Sequence, residues 1–240
     1  ANNEDRCVSL EGKDSPGVAD AVMIVADGMG GQAHGEVASD MAVEGIIRCL
    51  SDQPKDKTLP TDGYADLLGQ VFREVNAEIY LESQGDTYRG MGTTATAAVV
   101  TGTRVHIAHL GDSRAYLFRA GRLTQITRDH TEVRALLDAG TITEEEARHW
   151  PRKNVITRAI GVTDTPECDT VEGQAREGDT FLLCSDGLTE HLEDHEIADL
   201  LGEALPPQAI CDALVRETLA RGARDNVTVV VMRCGPAPEG

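Results

Sequence analysis

The chain has 240 residues, with 41 Asp and Glu against 22 Lys and Arg and a formal charge of −19. That balance argues against nucleic acid and anionic membrane as partners, because both need a basic face. Six cysteines stand far apart with no Cys-x-x-Cys pair, which reads as the reduced thiols of a cytoplasmic protein and not as a disulfide frame or zinc site.

No apolar run reaches the length of a membrane span, and no signal peptide opens the chain, so membrane insertion is not expected. Aromatic residues are only 3%, so the core must be built from Val, Ile, Leu and Ala. No linker divides the sequence, and one domain over 1–240 is expected. The polar start Asn2 to Arg6, reached from Ala1 without a methionine, suggests a true N-terminus upstream. Gly235 to Gly240 reads as the opening of a flexible tail.

In chain order, Cys7 to Leu10 fits a short strand, and Glu11 to Asp20 carries loop chemistry. Val22 to Ala26 is an apolar run that reads as a buried strand ending at Ala26. Asp27 then stands at the strand end among Gly28, Gly30 and Gly31. A carboxylate at the tip of a buried strand is costly unless a cation neutralises it. Glycines beside it let a backbone carbonyl come close to the same cation, and hard divalent ions take such oxygen sets.

Glu36 to Leu50 and Tyr64 to Leu81 repeat apolar residues at helical spacing, with the Pro- and Lys-rich loop Ser51 to Asp62 between them. The period then changes. Thr94 to Thr101, Arg104 to Leu110 and Arg114 to Phe118 form a meander of short strands joined by tight turns. Thr131 to Trp150 is helical again, with a capping box at Thr143 and Glu146 and a stop at Pro151. Asn154 to Ile160, Val171 to Ala175 and Thr180 to Cys184 read as further strands. Asp194 is expected to cap a helix through Leu201, and Pro207 to start one reaching about Ala220. Val227 to Met232 closes the chain as a strand. Strands and helices come in blocks, which favours antiparallel sheets with flanking helices, an α+β fold.

Three other acidic positions repeat the arrangement at Asp27. Asp186 follows the strand Phe181 to Cys184 and precedes Gly187. Asp112 sits in a turn after the strand that ends at Leu110. Asp225 precedes Asn226 and the last strand. Four carboxylates at strand ends can converge at one edge of a sandwich, and two divalent ions side by side need about that many.

With these segments in view, the chain resembles the metal-dependent protein phosphatase family (type 2C), in its bacterial serine/threonine branch. The resemblance rests on Asn3-Glu-Asp5, Val25-Ala-Asp-Gly-Met-Gly-Gly31, Gly92-Thr-Thr-Ala95, Gly111-Asp-Ser-Arg114, Thr127-Arg-Asp-His130, Ile156-Thr-Arg-Ala-Ile-Gly161, Cys184-Ser-Asp-Gly187 and Asp225-Asn-Val-Thr228, in the family's order and across nearly the whole chain. It implies a four-layer α-β-β-α sandwich, two central antiparallel sheets flanked by helices.

It also implies two Mn2+ or Mg2+ ions, with Asp27 bridging them, the Gly28 carbonyl on one, and Asp186 and Asp225 completing the other. Asp112, with Asp186, would hold a looser third ion. Asp5 and Glu4 would act through metal-bound waters, and Asn226, Gly187 and the Gly92–Thr94 turn would be support. The implied reaction is hydrolysis of phosphoserine or phosphothreonine esters by direct attack of a metal-bridging water, so that Asp27, Asp186 and Asp225 act through that water. The partners are phosphorylated proteins of a cognate Ser/Thr kinase, and a cytoplasmic monomer is expected. The alternative is a catalytically weak relative acting as a phosphoprotein-binding or sensor module.

The pattern departs from the family at two places. The arginine that grips the substrate phosphate would stand three residues before Asn3, ahead of Ala1. The histidine found at the position of Met29 in eukaryotic relatives, or of Gln32 in many bacterial ones, is absent from both. His34 is then the candidate general acid, against a simpler reading as a solvated loop histidine with a metal-bound water protonating the leaving group. His130 reads as structural. Thr131 to Asn154 corresponds to the flap beside the cleft, where Arg148, Arg152 and Lys153 make a basic patch suited to a phosphopeptide, or simply a solvated helix.

Overall fold

The apolar run of Val22 to Ala26 shows no alternation because both of its faces are buried: Val22, Ile24 and Ala26 enter one core cluster, Met23 and Val25 another. The structure, a computed structural model, describes residues 2–17, 19–30, 34–53 and 63–235. One antiparallel sheet runs in the order β1 (Asp5–Glu11), β2 (Ala21–Met29), β4 (Ala95–Thr101), β5 (Arg104–Leu110) and β8 (Asp169–Gln174). The two-residue β3 (Gly92–Thr93) pairs with the far end of β2. A second antiparallel sheet has the order β10 (Val229–Arg233), β9 (Thr180–Cys184), β6 (Arg114–Arg119) and β7 (Arg122–Gln125).

Three apolar clusters separate four layers. Between the sheets, Met23, Val25, Ala98 and Ile107 meet Ala115, Phe181, Leu183 and Val230. On the outer face of the first sheet lie α1 (Gly35–Ser51) and α2 (Gly63–Ser83), which bring Ile46, Leu68, Phe72 and Ile79 onto Val22 and Ile24. These two helices touch closely: a Cβ on Gly45 would come within 2.9 Å of Val75. On the outer face of the second sheet, α6 (Asp194–Leu201) and α7 (Pro207–Ala220) cover Tyr116, Leu182 and Val231 with Ile197, Leu201, Ile210 and Leu214. The α-β-β-α order expected from the resemblance is the one observed.

The capping box at Thr143 and Glu146 forms, opening α4 (Glu144–Arg148), with α3 (Glu132–Asp138) before it. Other expectations need correction. Strand β2 does not stop at Ala26 but continues through Asp27 to Met29, because it exchanges β4 for β3 as its partner. Asn154 to Ile160 is not a strand; its β-pairing among the described residues is limited to the isolated bridges Thr131–Ile156 and Thr93–Ile160. Glu193, not Asp194, caps α6, sharing a capping box with Glu196. The polar strand β7 went unpredicted. Part of the Ser51–Asp62 loop, together with Gly31, Gln32 and most of the Gly235–Gly240 tail, lies outside the described residues.

Candidate functional site

Asp27 is placed by a strand, not by a turn. Within the β1–β2 ladder it stands opposite Asp5. Thr94 holds both of its backbone polar atoms: the Asp27 N–H donates to Thr94 Oγ1 at 3.0 Å, and the Thr94 N–H donates to the Asp27 carbonyl at 2.8 Å. Gly28 comes next because nothing larger fits. A Cβ there would lie 2.1 Å from the Gly35 carbonyl oxygen and 2.8 Å from that of Glu4.

The second sheet supplies the opposite wall. Strand β9 ends at Cys184, and Asp186 starts the short helix α5 (Asp186–Thr189) with Ser185 as its N-cap. Ser185 Oγ donates to Asp5 Oδ2 at 2.8 Å and accepts the Thr228 N–H at 3.0 Å, which joins the two sheets at the site. Asn226 Oδ1 accepts the Glu4 N–H at 2.8 Å, a second tie across the same seam. Gly187 permits the approach, since a Cβ there would stand 2.0 Å from the Asn226 carbonyl oxygen. Asp112 comes from the turn between β5 and β6, where the chain passes from one sheet to the other.

These elements bring the expected residues together. Glu4, Asp27, Gly28, Asp112, Asp186, Asp225 and Asn226 line one cavity of about 460 Å³, with Asp5 buried behind it. His34 is not brought there: it caps α1 and sets its ring edge-on to Tyr88, 5.5 Å between centroids. A second cavity of about 460 Å³ opens from Asp112 and Asp186 under α3 and α4, lined by Arg134, Arg148 and Lys153 and also by Asp129, Glu144, Glu190 and Glu193, with Lys153 paired to Glu190 at 3.3 Å. Arg152, expected with that group, pairs instead with Glu132 at 3.0 Å. Sequence reasoning assigned no role to Ser185, although its place directly before Asp186 was a usable signal.

The electrostatics are those of a site in which carboxylates outnumber cations, with Arg224 the basic residue in the cavity lining. Burial, and then the charges of Asp5, Asp186, Asp112 and Asp225, push the Asp27 carboxyl far above the usual carboxylate range. Burial, followed by Asp186 and Asp129, lifts Asp112 to about 7. Burial also raises Asp186, with Glu190 and Asp225 adding to it. Asp112 Oδ1 and Asp186 Oδ1 are buried without any hydrogen-bond partner. Unpartnered buried carboxylate oxygens are costly, and an all-oxygen donor set suits a hard divalent cation. The residues present therefore fit such ions. Among the described residues, no three His, Cys, Asp or Glu side chains gather closely enough to hold one ion by themselves.

Comparison with known proteins decides the family. The Protein phosphatase 2C family matches residues 1–221. The chain belongs to that family. The serine/threonine phosphatase stp of Listeria welshimeri is 40% identical over 235 residues, covering 96% of this chain and 90% of that protein. The solved serine/threonine phosphatase of S. agalactiae superposes with a TM-score of 0.88 at 34% identity, covering 98% of this chain and 94% of that one. The catalytic domain of the phosphatase PstP, solved with two manganese ions, gives a TM-score of 0.80 at 38% identity over 98% of this chain and 93% of that one. Bacterial serine/threonine phosphatases of the 2C family are thus among the relatives of this chain.

Proposed function

We infer that this serine/threonine protein phosphatase hydrolyses phosphoserine and phosphothreonine esters with two divalent cations, Mn2+ or Mg2+, held in the acidic cleft. The observation that carries the reading is the convergence of Asp27, Asp112, Asp186 and Asp225 on one cavity, two of them with buried oxygens that nothing satisfies. Asp27, the Gly28 carbonyl, Asp186 and Asp225 would hold the core pair, and Asp112 with Asp186 would hold a third ion. Glu4 and Asp5 would act from outside the ligand set, through waters of the kind Mg2+ commonly retains. When bound, the cations neutralise charge on the phosphoryl oxygens and lower the pKa of water.

The chain's own residues do the rest. Thr94 and Asn226 fix the backbone of Asp27 and Glu4, and Ser185 holds the Asp5 carboxylate, which limits reorganisation at the moment of reaction. Cys184 is no nucleophile, since burial pushes its thiol up to about 12. Arg148 and Lys153, in the mixed-charge cavity under α3 and α4 that also carries Glu144, Glu190 and Glu193, seat the phosphopeptide next to the cleft. Its substrates are products of a Ser/Thr kinase. The six free cysteines suit the reducing cytoplasm, where we place a monomer. No helix among the described residues is long and apolar enough to cross a membrane. No carboxylate of the set is lost, so nothing supports a sensor module without turnover.

The test is dialysis against chelator, then assay of a phosphothreonine peptide with and without Mn2+ or Mg2+. Phosphate release only after metal is restored is expected. Release that persists undiminished in chelator, or peptide binding without release, refutes the reading.

A further inference from the structure

The turn that carries Asp112 is gripped from behind by one side chain. Gly111 has φ 114°, in the region that favours glycine. Its N–H donates to His130 Nδ1 at 3.2 Å, and its carbonyl accepts the His130 backbone N–H at 2.7 Å. An N–H aimed at Nδ1 requires that nitrogen to be the bare acceptor, which puts the ring proton on Nε2.

The surroundings of His130 favour that same tautomer. Nε2 lies 3.2 Å from the acceptor Asp169 Oδ2, nearer than the 3.5 Å to Arg158 Nη1, and that Arg158 Nη1 donates instead to Asp169 Oδ1 at 3.1 Å. The ring also packs on His109, 4.8 Å between centroids, and His109 is itself held by Thr96 Oγ1 at 2.9 Å and the Arg128 carbonyl at 3.2 Å. On the cleft side, Ser113 Oγ and Thr94 Oγ1 share a hydrogen bond of 2.8 Å. Asp112 is therefore held on both flanks, by His130 through Gly111 and by Thr94 through Ser113.

We propose that His130 is a positioning residue for Asp112: by holding Gly111 at both backbone polar atoms in a single tautomer, it aims the buried Asp112 carboxylate at the cation outside the core pair. The proposal rests on the reading of Asp112 as a cation ligand. Groups that orient a ligand from behind typically change metal affinity about 10–100-fold when removed.

Two measurements test it. In chelator-stripped protein, ¹⁵N–¹H spectra of the histidine rings are expected to show His130 protonated on Nε2 and bare at Nδ1. A proton on Nδ1 overturns the proposal. Mn2+ titration, read by electron paramagnetic resonance, then compares wild type with His130→Asn and His130→Gln. Asn puts an amide oxygen near the Nδ1 position and can still accept from Gly111, whereas Gln puts its amide near Nε2.

His130→Asn is expected to keep the weaker ion within about threefold, and His130→Gln to lose it by about 10–100-fold, with the core pair unchanged in both. Retention by His130→Gln, or equal loss by both variants, overturns the assignment. Where neither variant folds, the tautomer decides alone. Wild-type protein that binds the core pair and no weaker ion refutes Asp112 as a ligand, and this inference falls with it. Wild-type protein that binds no ion at all refutes the proposed function instead.

Discussion

Replacing Gly187 with Ala tests the seam between the sheets most directly. The added Cβ would stand 2.0 Å from the Asn226 carbonyl oxygen and 3.0 Å from its carbonyl carbon. Contacts under about 3.0 Å are not sustained, and the clash is with backbone, so no rotamer relieves it. Helix α5 and the Asp225–Asn226 segment must separate by at least about 1 Å. Each of them carries a candidate ligand one residue away from the clash, Asp186 and Asp225. Functional groups need placement within about 0.5 Å, and a misplacement of about 1 Å costs on the order of 100-fold in rate. Overpacking adds a stability cost of about 1–3 kcal/mol, which for a chain of this size lowers Tm by roughly 2–12 °C. The expected result is a folded protein whose phosphopeptide turnover falls by about 100-fold and whose Mn2+ affinity falls with it. Gly173→Ala, where a Cβ meets nothing within 4 Å, is the control and should behave as wild type. Full Mn2+ stoichiometry in Gly187→Ala, with turnover within about threefold of wild type, would refute the claim that this glycine sets the distance between the two carboxylates.

Replacing His34 with Ala should leave aryl phosphate turnover nearly unchanged, since the side chain sits against Tyr88 and not in the cleft; a loss of about 100-fold or more would make it the general acid after all. Burial, reinforced by the neighbouring His130, holds the His109 imidazole down to about 4. An ordinary histidine in the unfolded chain takes up its proton first as pH falls, so this stability is complete above about pH 6.5 and is lost toward pH 4, by about 3 kcal/mol. Urea midpoints across that range should fall more steeply in wild type than in His109→Asn, and equal slopes would refute the assignment. Because the cleft carboxylates repel one another, Mn2+ at about 100 times its Kd should stabilise the protein by about 2.7 kcal/mol per site. A melting temperature that does not respond to Mn2+ after chelator treatment would show that the cleft takes up no cation.

Much of the site was legible because each carboxylate carries its own local mark. Asp27, Asp112 and Asp186 each sit beside a glycine, close to an apolar strand, and Asp225 sits beside an asparagine. What the sequence hid was how each is held. Nothing local says that β2 runs on through Asp27, since the continuation depends on β3, more than sixty residues later, replacing β4 as its partner. The glycines there suggested the approach of a carbonyl to a cation, yet Gly28 also serves close packing against Gly35 and Glu4. His130 could be read only as structural, because its partner Gly111 lies 19 residues earlier and no periodicity links them. Val155 and Ile156 looked like a strand by composition, although their backbone finds a single bridge. The polar β7, Arg-Leu-Thr-Gln, shows no alternation strong enough to mark an edge strand.

The position of the cleft explains why this fold can carry so costly a site. Asp5 and Asp27 belong to the first sheet, Asp186 and Asp225 flank strands of the second, and Asp112 lies on the crossing between them. Crowding these carboxylates opposes folding, and the opposition acts along the line where the sheets would part. That line is bridged by Ser185 to Asp5, Asn226 to Glu4 and Thr94 to Ser113, hydrogen bonds that need no cation. Behind it, the apolar layer of Met23, Val25, Phe181 and Leu183 holds the sheets together over their whole faces. The carboxylates can thus remain poorly satisfied without unfolding the chain. It is that residual deficit, concentrated on Asp112 Oδ1 and Asp186 Oδ1, that a divalent cation would relieve.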